Sequence, residues 1–189
     1  MTHRKSVLFI LIVCGVIPEV SNALDIWQKY TKLKTLSAEF TQSKELKSIG
    51  VNLKSKGTLS FDRPNYFEWK VIEPKNFVFM YKNASITLME AGKVLKSADS
   101  ANFDKKMLDA ITHLKAWMMI DQKFIEENYN IQKITAETYE FTPKDKVKMF
   151  KSILIEMGKN YPIKKISLTE ATNDVIVIEF TKTKMTYEN

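Results

Sequence analysis

The sequence predicts an α+β fold, an incomplete antiparallel β-barrel built as a strongly curved sheet of about eleven strands, with a few helices over it. Three observations lead there. Apolar and polar residues alternate in many short runs: Leu59 and Phe61 against Thr58 and Ser60, then Phe67, Trp69 and Val71 against Glu68 and Lys70, the period of a half-buried strand. The links between runs are short, as in Lys82-Asn83-Ala84 and Ala91-Gly92-Lys93, which makes neighbouring strands antiparallel. A sheet of so many strands in a small domain must also curl, because closure or near-closure removes exposed edges. The amphipathic helices then either lie across the mouth as a lid over an apolar cavity or pack on a filled core. The residue pattern leaves both open.

Taken in order, Ile26, Trp27, Tyr30 and Leu33 stand at helical spacing with Lys29, Lys32 and Lys34 opposite, which predicts a helix over Asp25 to Leu36. From Leu36 the period becomes extended, with Ala38 and Phe40 alternating against Ser37, Glu39 and Thr41. Lys44 to Lys56, containing Gly50, reads as a strand end and hairpin leading into Gly57 to Trp69. That stretch should itself reverse at Asp62-Arg63-Pro64-Asn65, since proline fixes its own φ and biases the preceding residue away from the helical region. Further strands are expected over Asn76 to Tyr81, Ile86 to Glu90 and Val94 to Lys96. Phe103, Met107, Ile111, Leu114 and Met118 then recur at helical intervals, the clearest amphipathic helix in the chain. A short helix over Asp121 to Tyr129 follows. Strands resume over Ile131 to Ile134, Thr138 to Phe141, Ser152 to Met157, Ile163 to Leu168 and Asp174 to Thr181. The outline is a meander of about six strands, a helical insertion and a second meander of about five.

At 189 residues, 27% charged and 44% hydrophobic, the chain suits one globular domain. Its net charge of +7 is compatible with an anionic partner, but the lysines are interspersed with acids rather than clustered, which argues against nucleic acid. His3, Arg4 and Lys5, the apolar run Val7 to Val13, and Ser21-Asn22-Ala23 have the form of a cleaved export signal over residues 1–23, with one domain over 24–189. The run is too short to span a membrane. Cys14, the single cysteine, would leave with the signal, so no disulfide is expected. Lipid attachment at Leu11-Ile12-Val13-Cys14 is disfavoured by the bulk of Val13.

Catalytic chemistry has little to stand on. After the signal only His113 remains of two histidines, so no histidine cluster for zinc, no base paired to a nucleophile and no cofactor is expected. No glycine-rich phosphate loop or nucleophile elbow occurs. His113 is expected to be structural or solvent-facing, and Asn83-Ala84-Ser85 matters as a sequon only in a eukaryotic secretory route. Arg63 is the odd residue: a turn arginine that either stays in solvent or uses its five donors to hold backbone carbonyls.

Leu36-Ser37-Ala38-Glu39-Phe40-Thr41-Gln42, Gly57-Thr58-Leu59 and Phe61-Asp62-Arg63-Pro64-Asn65-Tyr66-Phe67-Glu68-Trp69 resemble the periplasmic carriers of outer-membrane lipoproteins, the LolA family. Weaker similarity continues through Phe141-Thr142-Pro143-Lys144 and the strand from Pro162 to Glu170. The resemblance implies an unclosed β-barrel capped by helices around a cavity for acyl chains, no catalytic residue, and a monomeric carrier moving lipoproteins from an inner-membrane release complex to an outer-membrane receptor. By position, Arg63 matches the arginine that latches the lid. Phe40, Phe67 and Trp69, with Phe77 and Phe79 on the next strand, are assigned to the lipid-binding cavity, together with Met107, Leu108, Ile111 and Leu114 from the segment that should form part of the lid. Two departures bear on cargo and hand-over: Asn83-Ala84-Ser85 and Leu88 stand where the family has a glycine turn and a tryptophan strand, and the C-terminal extension is missing after Met185-Thr186-Tyr187-Glu188-Asn189. A carrier of another lipid or glycolipid, or an anchored receptor or sensor of the same fold, remains the alternative.

Overall fold

The alternating runs form strands throughout the residues that the computed structural model describes, 32–99, 112–113, 115–117, 119, 121–144, 150–158 and 163–188. They are β1 (Leu33–Leu46), β2 (Val51–Asp62), β3 (Tyr66–Glu73), β4 (Phe77–Lys82), β5 (Ser85–Glu90), β6 (Lys93–Asp99), β7 (Tyr129–Lys133), β8 (Thr138–Pro143), β9 (Phe150–Glu156), β10 (Lys165–Glu170) and β11 (Val175–Tyr187), with helix α1 (Gln122–Asn128) ahead of β7. All eleven strands share one sheet in the order β6-β5-β4-β3-β2-β1-β11-β10-β9-β8-β7, and every pairing is antiparallel. Two meanders of six and five strands are thus zipped together where β1 meets β11. The chain between β6 and β7 connects the two outermost strands of the sheet.

One expectation is corrected. Leu33 to Leu36, read as the end of a helix, belong to β1, and the part of that helix before residue 32 lies outside the described residues. The register against β11 slips between Leu33 and Thr35, so an extra residue lets both Leu33 and Leu36 turn inward, at 1% and 2% exposure. A bulge of this kind puts two buried side chains three residues apart in a strand, the spacing that otherwise marks a helix.

The sheet is curved toward its apolar face. β3 and β11 are separated by β2 and β1, which in a flat sheet would put them roughly 14 Å apart. Yet the Trp69 and Phe180 rings meet edge-on at 6.4 Å, and Trp69 stacks on Phe40 of β1 at 4.0 Å. Gly57 makes the bend possible. A Cβ there would lie 1.9 Å from the Lys70 carbonyl oxygen and 2.7 Å from Phe40 Cζ, and the β2–β3 register shifts between Lys56 and Gly57. The concave face carries one continuous apolar cluster, from Leu36, Phe40, Leu59 and Phe67 through Phe141, Ile153 and Ile166 to Phe180.

Turn chemistry accounts for the tight links. Asn83 and Ala84 both adopt positive φ, 48° and 65°, between β4 and β5, and Ala91 and Gly92 do so between β5 and β6, the conformation of two-residue hairpin loops. The short helix expected before β7 is present as α1, capped by Asp121, whose side chain accepts a hydrogen bond from the Phe124 N–H at 3.1 Å. Of the longer amphipathic helix, Thr112, His113, Lys115, Ala116, Trp117 and Met119 are described and helical. Met107, Leu108, Ile111 and Leu114 lie outside the described residues.

Candidate functional site

Of the nine cavity residues named from the sequence, the five on strands fall on the concave face because strand alternation and register put them there, and the other four lie outside the described residues. Phe40 pairs with Gly57, Leu59 with Trp69, Phe61 with Phe67, Trp69 with Phe79 and Val71 with Phe77. Phe67 is fully buried, Phe40, Trp69 and Phe79 are nearly so, and Phe77 sits partly exposed at the margin of the cluster. They touch one another: besides the Phe40–Trp69 stack, the Phe67 and Phe79 rings lie 5.8 Å apart. This is a wall of aromatic side chains without a buried polar or charged residue among the described core.

Arg63 stands at the β2–β3 turn and leans over the rim of that wall. Its backbone is tied to β1, with the Arg63 N–H donating to the Lys34 carbonyl at 3.0 Å and the Lys34 ammonium donating to the Arg63 carbonyl. Its side chain crosses to the helical insertion, where Nη2 donates to the Met119 carbonyl. The guanidinium also lies 5.7 Å from the Phe61 ring centre. Burial pulls its pKa down, while the carboxylates of Glu188 and Asp121 push the other way, so the cation stays charged. Beside it, Arg63, Pro64, Thr112, Lys115, Met119 and Phe124 border a recess of about 360 Å³. A larger recess, about 550 Å³, is lined by Thr41, Lys54, Lys56, Glu73 and Glu179, residues that mostly alternate with the buried ones and so belong to the opposite face.

A second contact between insertion and sheet was not legible in the sequence. Trp117 lies edge-on to Phe141 of β8 at 4.4 Å and to Tyr129 of β7 at 4.9 Å. His113 packs against Phe124 and Tyr129, and its Nδ1 is 2.7 Å from the Tyr129 hydroxyl. Burial raises the Tyr129 phenol above its ordinary pKa, the Trp117 indole acting in the opposite direction. His113 is therefore a packing and hydrogen-bonding residue, in line with its structural reading. The insertion is held from two sides, by a guanidinium on the β2–β3 turn and by an aromatic cluster on β7 and β8.

A single curved antiparallel sheet, with Trp117 and Met119 of the described helical residues in contact with its apolar cluster and its rim, defines a class of open-barrel folds. Residues 31–188 match the family model described as outer membrane lipoprotein carrier protein LolA, and the chain belongs to that family. No curated protein matches it by sequence. Among solved structures it is similar to a chain from the complex of Pseudomonas aeruginosa MucA and MucB, at 9% identity and a TM-score of 0.50, over 88% of this chain and 56% of that one. It thus spans little more than half the length of that relative. It also aligns with a LolA superfamily protein of Nitrosomonas europaea, at 9% identity and a TM-score of 0.42 over 88% and 94%. A third alignment, to the lipoprotein LppX of Mycobacterium tuberculosis, has 10% identity and a TM-score of 0.35 over 85% and 90%. Among the described residues no helix is long and apolar enough to cross a membrane.

Proposed function

We propose that the chain is a periplasmic carrier that takes the acyl chains of a lipid-modified protein against the concave face, with Arg63 as the latch of the helical lid. The observation that carries this reading is the hydrogen bond from the Arg63 guanidinium to the Met119 carbonyl, made across the edge of the aromatic concave wall. Binding is by apolar burial: each methylene withdrawn from water contributes roughly 0.8 kcal/mol, so part of one acyl chain suffices to solubilise the cargo. Loading parts the aromatic contacts of Phe40, Phe67, Trp69, Phe77 and Phe79 and breaks the Arg63 bond. Unloading restores both, which gives hand-over to an outer-membrane receptor its direction without a local energy source. Neither an enzyme activity nor a cofactor enters this account. Met107, Leu108, Ile111 and Leu114 belong, in this reading, to the lid.

The test is Arg63→Leu in a reconstituted transfer from donor membrane to receptor. Without the latch the open, loaded state is favoured, so the variant accepts lipoprotein as the parent does and retains it. Equal hand-over rates for variant and parent would remove the latch from the account. Native mass spectrometry of protein purified from the periplasm, with extraction of the retained species, separates a lipoprotein carrier from a carrier of free lipid or glycolipid.

A further inference from the structure

The hairpin joining β1 and β2 reaches past the rest of the sheet. β11 follows β1 as far as Glu45, the partner of Asn52, and β3 follows β2 only from Lys56, so Leu46, the turn and Val51 project beyond both flanking strands, while Asn52 to Ser55 have no strand on their β3 side. Along β2, alternation puts Phe61, Leu59, Gly57, Ser55, Leu53 and Val51 on one face. That face is sealed at Leu59 and Phe61 but open to water at Leu53 and Val51, which are 51% and 40% exposed. Ile49, in the turn that Gly50 makes at φ 65°, is 66% exposed. Three large aliphatic side chains therefore stand in water on one projection.

The charge around them has a sign. Residues 46–55 carry Lys47 and Lys54 and no acid. The carboxylates lie toward the base: Glu45; Asp174, which accepts the Lys47 backbone N–H at 2.9 Å and the Thr172 hydroxyl at 3.0 Å; and Glu73 and Glu179, which line one recess with Lys54. Lys44 and Lys56 are matched there by Glu170 and Glu73. Apolar residues at a tip with cations behind them complement a surface that is anionic outside and hydrocarbon beneath, whereas two copies meeting tip to tip would bring lysine against lysine.

We propose that the β1–β2 hairpin docks on the surface of an anionic lipid bilayer, with Ile49, Val51 and Leu53 entering between headgroups and Lys47 and Lys54 facing lipid phosphates. This goes beyond the acyl-chain reading and does not depend on it. The test is sedimentation of the purified protein with vesicles of phosphatidylethanolamine and phosphatidylglycerol, set against vesicles of phosphatidylcholine alone. The parent is expected to bind the anionic vesicles preferentially and to lose binding as salt rises. The triple variant Ile49→Ser, Val51→Ser, Leu53→Ser and the pair Lys47→Glu, Lys54→Glu should each bind roughly tenfold or more weakly, with melting temperatures near the parent's because the altered side chains are exposed. No preference for anionic vesicles, unchanged binding by either variant, or a parent dimer that the triple variant abolishes without any vesicle binding would overturn the proposal. Vesicle binding is read with neither lipoprotein cargo nor receptor present, so failure here is distinguishable from failure of the latch.

Discussion

Gly57→Ala tests the curvature of the sheet directly. The added methyl would sit 1.9 Å from the Lys70 carbonyl oxygen and 2.7 Å from Phe40 Cζ, both well inside contact distance. One obstacle is backbone in the adjacent strand and cannot rotate away; the other is a ring already stacked at 4.0 Å on Trp69. The sheet must therefore open by about 1 Å between β2 and β3, or Phe40 must leave its place, and overpacking of this kind costs roughly 2–3 kcal/mol. For a chain of this length that corresponds to a fall in Tm of roughly 4–12 °C. Gly92→Ala is the control: nothing lies within 4 Å of its Cβ site, but its φ is +78°, so its cost is conformational, about 1 kcal/mol. Thermal unfolding followed by circular dichroism separates the two mechanisms, since asparagine tolerates left-handed backbone and should largely rescue position 92 but not position 57. A Gly57→Ala protein melting within about 2 °C of the parent would show that Gly57 does not set the approach of the two strands.

Tyr129→Phe keeps the ring against Trp117 and removes the hydroxyl facing His113, at an expected cost of about 0.5–1.5 kcal/mol in denaturant titration. Because burial raises the folded Tyr129 pKa, the unfolded chain ionises first as pH climbs past about 10. The folded state then holds more protons, so stability is full below that pH and declines from there through the folded pKa; Tyr129→Phe should flatten part of this decline, and an unchanged slope would count against burial of the phenol. Lys44 and Glu170, 2.7 Å apart and about one quarter exposed, should show a coupling near 0.5–1 kcal/mol in a double-mutant cycle at low salt, reduced at high salt.

Most of the sheet was legible in the sequence because its evidence is local. Alternation at Leu59–Phe61 and Phe67–Val71, the links at Asn83–Ala84 and Ala91–Gly92, and the six-plus-five meander all follow from periods and turn residues a few positions apart. The same short-range pattern carries the family, through the segment from Phe61 to Trp69. Leu33 and Leu36 misled for a definite reason: a bulge imitates helical spacing, and only pairing with β2 and β11 distinguishes the two. What no period could supply is which distant groups meet. That Arg63 would reach the Met119 carbonyl, that His113 and Trp117 would find Tyr129 and Phe141, and that the apolar stripe of β2 would run out beyond β3 at Leu53 and Val51 are consequences of how far each strand extends and of which groups the described helical residues meet. Residue type and spacing thus determined the strands and their faces, while the contacts that fasten the insertion were decided by tertiary packing, because they join residues tens of positions apart whose proximity is set by sheet curvature rather than by local conformational preference.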